Sequence, residues 1–425
     1  MSEEPAPAPA NAPLGPVDTL VIGAGPAGSA CAQRLAASGH KVLLVDQHSF
    51  PRDKVCGDGL IPDSLAALRR LGVAEEVAAA ATPVRHVRLV GPRGGQVDVP
   101  GVMSVLPRKT LDHILLRAAQ RAGAQFAAPL RFESPLLDGE RVVGARLKDL
   151  SRPGQTVDVA AKWVVLATGA VPAAMTAAGL CERHTPSGVA LRAYVKNEQM
   201  VGHITQLQIV WHPRLSGGYG WIFPTPDGVF NIGTGLTGSH RRMKDGKGRM
   251  QDNNLRQMLQ AFCEVYPPAA QLMNGGTVVG DLKGAPLRCS LIGARWSRPG
   301  LLATGEAIGS TYAFSGEGIG KAMETGMMAA EAIASAGVGI DVGVGIDVDA
   351  GVQAAYAARL KTLKPQFDLY EYASIVNQHP WLADLVIWRA RRSPRILRRL
   401  SGVLDETQNP GRLFSVRGVA KLMFE

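Results

Sequence analysis

After a polar, proline-rich start, the chain presents two short apolar runs separated by a stretch with helical spacing. Thr19-Leu20-Val21-Ile22 is β-branched and apolar and reads as a strand. A glycine-rich turn at 23–28 follows it, then an alanine-rich helix, then a second strand, Val42-Leu43-Leu44-Val45, that ends on Asp46. Further along, the pattern predicts a helix over 62–71, alternating strands over 84–99, and a helix over 111–122 with Leu111, Ile114, Leu115 and Ala118 on one face. Strands are expected at 124–132, 141–147 and 157–161. The continuous apolar run over 162–168 suits a parallel sheet covered on both faces. From 188 to 237 the pattern changes to β-rich segments with aromatic residues and turn glycines, which predicts a separate antiparallel sheet inserted in the first unit. A helix over 252–266, a last core strand over 299–303, a long helix over 318–334 and a helical C-terminal segment complete the reading.

The order strand, glycine turn, helix, strand, acid is what a dinucleotide requires. Gly23 allows the tight turn, Gly25 lets a pyrophosphate approach the backbone, and Gly28 lets helix and strand pack closely. Ala24, Pro26 and Ala27 complete the turn, and the helix start offers free N–H groups and partial positive charge to phosphates. Asp46, 23 positions after Gly23, is placed to accept hydrogen bonds from ribose hydroxyls. A second GxGxxG, from Gly233 to Gly238, also follows a strand. It runs on into Ser-His-Arg-Arg rather than a helix, and no acid-tipped strand comes after it, so one dinucleotide is expected and not two.

With 425 residues the chain exceeds one ordinary core. Five scattered cysteines without a CxxC argue against a disulfide framework and for a reducing, cytoplasmic setting. No spacing of cysteine, histidine or acids suggests a metal. Residues 1–16 read as a disordered tail, neither signal peptide nor targeting helix. No run is apolar enough to span a bilayer; 163–180 comes nearest but breaks into strand, Thr-Gly and a proline-containing loop. The net charge of +10 is uneven: six arginines lie between Arg389 and Arg399, behind Trp381-Leu382 and Leu385-Val386-Ile387-Trp388. That segment reads either as a solvated basic helix or as a helix touching anionic lipid, which would make the protein peripheral on the inner membrane face. No recognition motif accompanies the arginines, which excludes nucleic acid as the expected partner.

Further segments single out the cofactor. Leu106-Pro107-Arg108-Lys109-Thr110 precedes the 111–122 helix, and Val164-Val165-Leu166-Ala167-Thr168-Gly169 closes a core strand. Leu302-Ala303-Thr304-Gly305-Glu306-Ala307 leads to Phe314-Ser315-Gly316-Glu317-Gly318-Ile319-Gly320. With the first turn, they resemble the FAD-binding set of the group comprising aromatic hydroxylases, flavin halogenases and geranylgeranyl reductases, over about residues 17–335. The resemblance implies that Arg108 contacts the phosphate or ribityl region and that Glu306, where the group usually has Asp, bonds the ribityl chain. It implies that the turn Gly316, Gly318 and Ile319 aims backbone N–H groups at the flavin pyrimidine edge, where reduced flavin carries negative charge.

Two segments resemble the geranylgeranyl reductase branch: Pro51-Arg52-Asp53-Lys54-Val55-Cys56-Gly57-Asp58-Gly59, and Gly218-Tyr219-Gly220-Trp221-Ile222-Phe223-Pro224 leading to Asn231-Ile232-Gly233. Halogenases have tryptophan where Tyr219 stands and a lysine after the first βαβ unit; here none occurs between Lys54 and Lys109. The implied fold is α/β: a Rossmann-like FAD-binding domain (17–85, 105–180, 285–335), an inserted antiparallel β-sheet substrate domain (86–104, 181–284) and a helical C-terminal region (336–425). The implied activity is an FAD-dependent oxidoreductase reducing C=C bonds of a hydrophobic prenyl or polyene substrate. Cys56, Asp58 and Trp221 are the candidate catalytic residues, and NAD(P)H or a small redox protein is the electron donor. An FAD-dependent monooxygenase of an aromatic or apolar substrate is the alternative, and a flavin electron carrier the third reading.

Overall fold

The computed structural model describes residues 15–237, 254–336 and 346–407. The expected tail, apart from 15–16, residues 337–345, the last glycine of the second GxGxxG and the end of the C-terminal region lie outside the described residues.

The first sheet has the order Ser297–Arg298, Leu301–Ala303, Thr156–Leu166, Val17–Ile22, Val42–Val45, Gln125–Ala127. From Leu301–Ala303 through Gln125–Ala127 every neighbour is parallel. The pairs of strands that the sequence divides at 161 and 162 form one strand, Thr156–Leu166. Its two halves have different neighbours, which explains the mixed pattern. Residues 156–160 pair antiparallel with Arg141–Asp149, while Ala161 to Leu166 pair parallel with Val17–Ile22 and are nearly all buried.

The second sheet runs Thr277–Leu287, Gly188–Lys196, Val229–Leu236, Gly218–Pro224, Leu207–Val210, Thr82–Val90, Gln96–Val105, Gly59–Leu60. All its pairs are antiparallel except Leu207–Val210 with Thr82–Val90. The strand Thr82–Val90 lies wholly in this sheet, so the division expected at 85 cuts through it. Gly59–Leu60, at the far edge, carries the Cys56 loop into the same sheet by pairing with Val105 and Ser104. The second GxGxxG is explained by packing: a Cβ on Gly233 would lie 2.3 Å from the Trp221 ring. From Gly233 to Leu236 the motif lies in an antiparallel strand.

The C-terminal region is a long helix, Ile346–Ala373, followed by shorter ones at Ile375–Gln378, Trp381–Ala390 and Pro394–Leu404. The single basic helix expected from the arginines is thus two, because Pro394 starts a new helix after Ser393. Tyr356 donates its hydroxyl to the Ala303 carbonyl at 2.8 Å, and Asn377 bonds Trp211, Thr237 and Phe314 at 2.7 to 3.0 Å. These polar contacts fasten the region to both sheets. Among the described residues no helix is long and apolar enough to cross a membrane.

The helix Pro26–Ala37 rests on the strand before it through Gly28, where a Cβ would fall 1.8 Å from the Gly23 carbonyl oxygen. No side-chain motion can relieve a clash with backbone. Gly28→Ala is therefore expected to push the helix off the turn, lowering the melting temperature and emptying the protein of flavin. Thermal denaturation and the flavin-to-protein absorbance ratio of the purified variant check this; a flavin-loaded variant with unchanged melting would contradict it.

Candidate functional site

A cleft of about 380 Å³ lies between the two sheets. At one end stands the N-terminus of Pro26–Ala37, which has no side-chain cap and no acid in its first turn. Its N–H groups and partial positive charge are left for an anion. Gly25 lines the cleft, and two guanidinium groups border it: Arg52 Nη2 and Arg108 Nη2 lie 3.5 and 3.8 Å from where a Cβ would stand. Arg108 is held by a bidentate pair with Asp112 at 2.6 and 2.7 Å, and Arg52 Nη1 lies 2.9 Å from the same carboxylate. One buried acid thus orients two arginines. Asp46 accepts from the N–H groups of Ala24 and His48, both at 2.9 Å, which fixes its carboxylate at the cleft wall.

The middle of the cleft is walled by the Cys56 loop and by the aromatic strand Gly218–Pro224. Asp58, in the left-handed region at φ 66°, is 0% exposed. It accepts from the Tyr194 hydroxyl, from Asn231 Nδ2 at 2.7 Å and from the Arg108 backbone N–H at 3.3 Å. Asn231 also donates to the Cys56 carbonyl at 2.8 Å and accepts from the Trp221 indole N–H at 2.9 Å. Burial pushes the Asp58 carboxyl up to about 6, against the pull of Tyr194, Asn231, Arg192 and Arg108. The Cys56 thiol is also pushed up, first by burial and then by Asp58, despite Arg108 beside it. At neutral pH it stays a thiol. Trp221 and Phe223 pack against the loop at Gly57.

At the far end lies the turn before the helix Ile319–Ser335, another helix start with no side-chain cap. The Tyr219 hydroxyl donates to the Ser315 carbonyl and pins the turn to the second sheet. Glu306 accepts from Thr311 Oγ1 at 3.2 Å, and the buried Thr168 Oγ1 has no hydrogen-bond partner.

The structure brings together on one cleft Gly23, Gly25, Pro26, Ala27, Asp46, Cys56, Asp58, Arg108, Gly169, Trp221, Glu306, Gly316, Gly318 and Ile319. Ala24, Gly28 and Gly305 stand behind it: Ala24 bonds Asp46, Gly28 serves packing, and the Gly305 N–H donates to Thr325 at 3.1 Å. Sequence reasoning gave no role to Arg52, Asp112, Tyr194, Asn231 or Glu317. For Arg52 and Glu317 a signal existed, since each is a charge within a glycine- or proline-broken turn.

The FAD binding domain family matches residues 16–261. The chain belongs to that family. It is 32% identical over 338 residues to the menaquinone reductase of Mycolicibacterium smegmatis, covering 76% of this chain and 77% of that protein. It is 30% identical over 324 residues to the digeranylgeranylglycerophospholipid reductase of Methanosarcina acetivorans, covering 74% of each. The crystal structure of a geranylgeranyl bacteriochlorophyll reductase-like protein from Thermoplasma acidophilum superposes with a TM-score of 0.69 at 22% identity, covering 97% of this chain and 96% of that one. This is an FAD-dependent oxidoreductase of the geranylgeranyl reductase kind.

The residues present fit FAD. The uncapped helix start at Gly25 beside two guanidiniums suits a pyrophosphate, Asp46 suits a ribose, and the unpartnered Thr168 hydroxyl and the uncapped start of Ile319–Ser335 suit the polar edges of the rest. Arg52→Gln removes one of the two charges before Gly25, and a charge-assisted phosphate contact of this kind is worth about tenfold or more in affinity. The variant is expected to keep its fold by circular dichroism and to bind FAD at least about tenfold more weakly in a fluorescence titration of apoprotein. Unchanged affinity would remove Arg52 from the phosphate site.

Proposed function

We propose that this protein reduces carbon–carbon double bonds in the prenyl chain of a hydrophobic substrate, such as a prenylated quinone or a geranylgeranyl lipid. The observation that carries the reading is the continuation of the cleft into a second cavity of about 90 Å³ under the C-terminal helices. The two share Val87, Ile209, Tyr219, Ser315, Glu317 and Leu404, and the second is walled by Trp211, Phe314, Val386, Ile387 and Val403. An apolar chain is the ligand such walls stabilise, at about 25 cal/mol for each Å² of apolar surface removed from water. The relatives named for menaquinone and for digeranylgeranyl lipid support the same substrate class.

FAD, when bound and reduced, supplies a hydride. The chain's own residues bind and orient. Arg52, Arg108, Asp46 and the helix start hold the dinucleotide, with Glu306 and the turn from Gly316 to Ile319 toward the flavin. Asp58 acts as a positioning residue, fastening the Cys56 loop to Tyr194 and Asn231 of the second sheet. Trp221 and Cys56 form walls that keep water from the reacting region. Electrons come from NAD(P)H or a small acidic redox protein, which the +10 charge would attract.

Access from a membrane is part of the proposal. Trp381 and Trp388 are 58% and 44% exposed, and the guanidiniums of Arg389 and Arg392 lie 5.4 and 4.8 Å from the Trp388 ring. Exposed indoles flanked by arginines suit an anionic lipid surface next to the helices that roof the second cavity.

Two outcomes are expected. Reduced holoprotein, kept anaerobic and mixed with geranylgeranyl-chain lipid or menaquinone, should lose its reduced-flavin absorbance and leave a prenyl product with two hydrogens added per bond by mass spectrometry. Oxygenated product formed only in air would instead establish the monooxygenase reading. Trp381→Ser with Trp388→Ser should weaken sedimentation with phosphatidylglycerol vesicles at least about tenfold without changing turnover of detergent-dispersed substrate; vesicle binding as tight as the parent would exclude this face.

A further inference from the structure

We infer that Glu317 is the acid that delivers the proton to the prenyl double bond, completing the reduction begun by hydride transfer. The inference rests on the prenyl-reductase reading and names the residue that the reading lacks. Glu317 is the carboxyl group that lines both cavities, at their junction between the flavin end and the apolar chain site. A prenyl chain passing from one cavity to the other must cross it.

Its surroundings keep it an acid. Ser315 Oγ donates to Glu317 Oε2 at 2.9 Å. Burial pushes the carboxyl up to about 8, and the charges of Asp63 and Glu406 add to that, against Ser315 and Lys321. The titratable groups that face it come from several elements: Asp63 from the helix Pro62–Arg70, Lys321 from the helix that Glu317 precedes, Tyr219 from the second sheet, Tyr370 from the long C-terminal helix and Glu406 beyond the last one. Lys321 is itself taken, 2.8 Å from both Glu324 and Glu406 and 4.0 Å from Asp63. Burial and the two neighbouring acids thus favour the protonated carboxyl near neutral pH, at the junction of the two cavities.

The alternatives are less well placed. Asp58 is occupied by three donors, and the Tyr219 hydroxyl is spent on the Ser315 carbonyl. The step balances as follows. The π bond of the alkene breaks as one carbon accepts a hydride from reduced flavin. The electron pair left on the other carbon forms its new C–H bond to the proton leaving Glu317. The resulting carboxylate regains a proton from solvent between turnovers.

The sign of the pH dependence follows. The donor form is present below about 8 and lost above it, so prenyl reduction should fall on the alkaline side with a limb near that pH. Removing the Ser315 hydroxyl takes away a bond that favours the carboxylate, so Ser315→Ala should move the limb to higher pH.

The experiment uses holoprotein of the parent, Glu317→Gln and Ser315→Ala, with geranylgeranyl-chain lipid as substrate and its fully saturated analogue as a binding probe. Glu317→Gln should retain FAD and bind the saturated analogue within about twofold, yet reduce the unsaturated lipid about a hundredfold more slowly, the usual effect of losing a general acid. An infrared carboxyl band titrating near 8 in the parent should vanish in Glu317→Gln and titrate higher in Ser315→Ala. If the parent reduces the lipid but Glu317→Gln matches its rate, or the band and limb do not move in Ser315→Ala, the inference fails and the reductase reading stands. If the parent leaves the lipid unreduced, both fall.

Discussion

The joint on which this molecule depends is the buried carboxylate of Asp58. It sits on the loop that leaves the nucleotide-binding part and enters the second sheet at Gly59–Leu60, and its acceptors are filled from both sides: the Arg108 N–H from one, Tyr194 and Asn231 from the other. Burying a carboxylate is costly, and only a full set of donors makes it tolerable. That requirement fixes the loop against the aromatic strand, and with it the width of the cleft. Asn231 extends the network to Trp221 and to the Cys56 carbonyl, so the wall and the loop move as one.

The cleft that results is electrostatically divided. Its nucleotide end collects an uncapped helix start and two arginines disciplined by Asp112, an arrangement stable only because each guanidinium has a carboxylate partner and a place for an anion. Its other end is apolar and closes under helices that are themselves pinned by Tyr356 and Asn377. Glu317 lies where the two environments meet, which is where an acid can be both protonated and in reach of an apolar chain.

How much of this could be read from the residues follows from the range of each interaction. The turn from Gly23 to Gly28, the strand ending in Asp46 and the helix after Gly318 are local, so their glycine spacing and apolar period were enough. The strand Thr156–Leu166 was read as two because its halves have different neighbours, which only the sheet order reveals. The boundary placed at 85 falls inside Thr82–Val90 for a similar reason, since nothing local says which sheet that strand joins. Arg52 and Asn231 lie within quoted segments, yet their meeting with Asp112 and Asp58 depends on chain crossings 60 and 173 residues apart and leaves no trace in spacing. The two glycines at 233 and 235 show the converse, since a phosphate-like motif there serves the ring of Trp221.

The central claim is that Asp58, Tyr194 and Asn231 act as one unit that holds the substrate wall against the FAD site. A double-mutant cycle tests it most directly: kcat/KM and unfolding free energy of Asp58→Asn, Tyr194→Phe and the double variant, measured at pH 8, where Asp58, titrating near 6, is ionised. The account predicts strong coupling, with the double variant losing little more than the worse single one. Losses that simply add would show two independent contacts, and the joint described here would not exist.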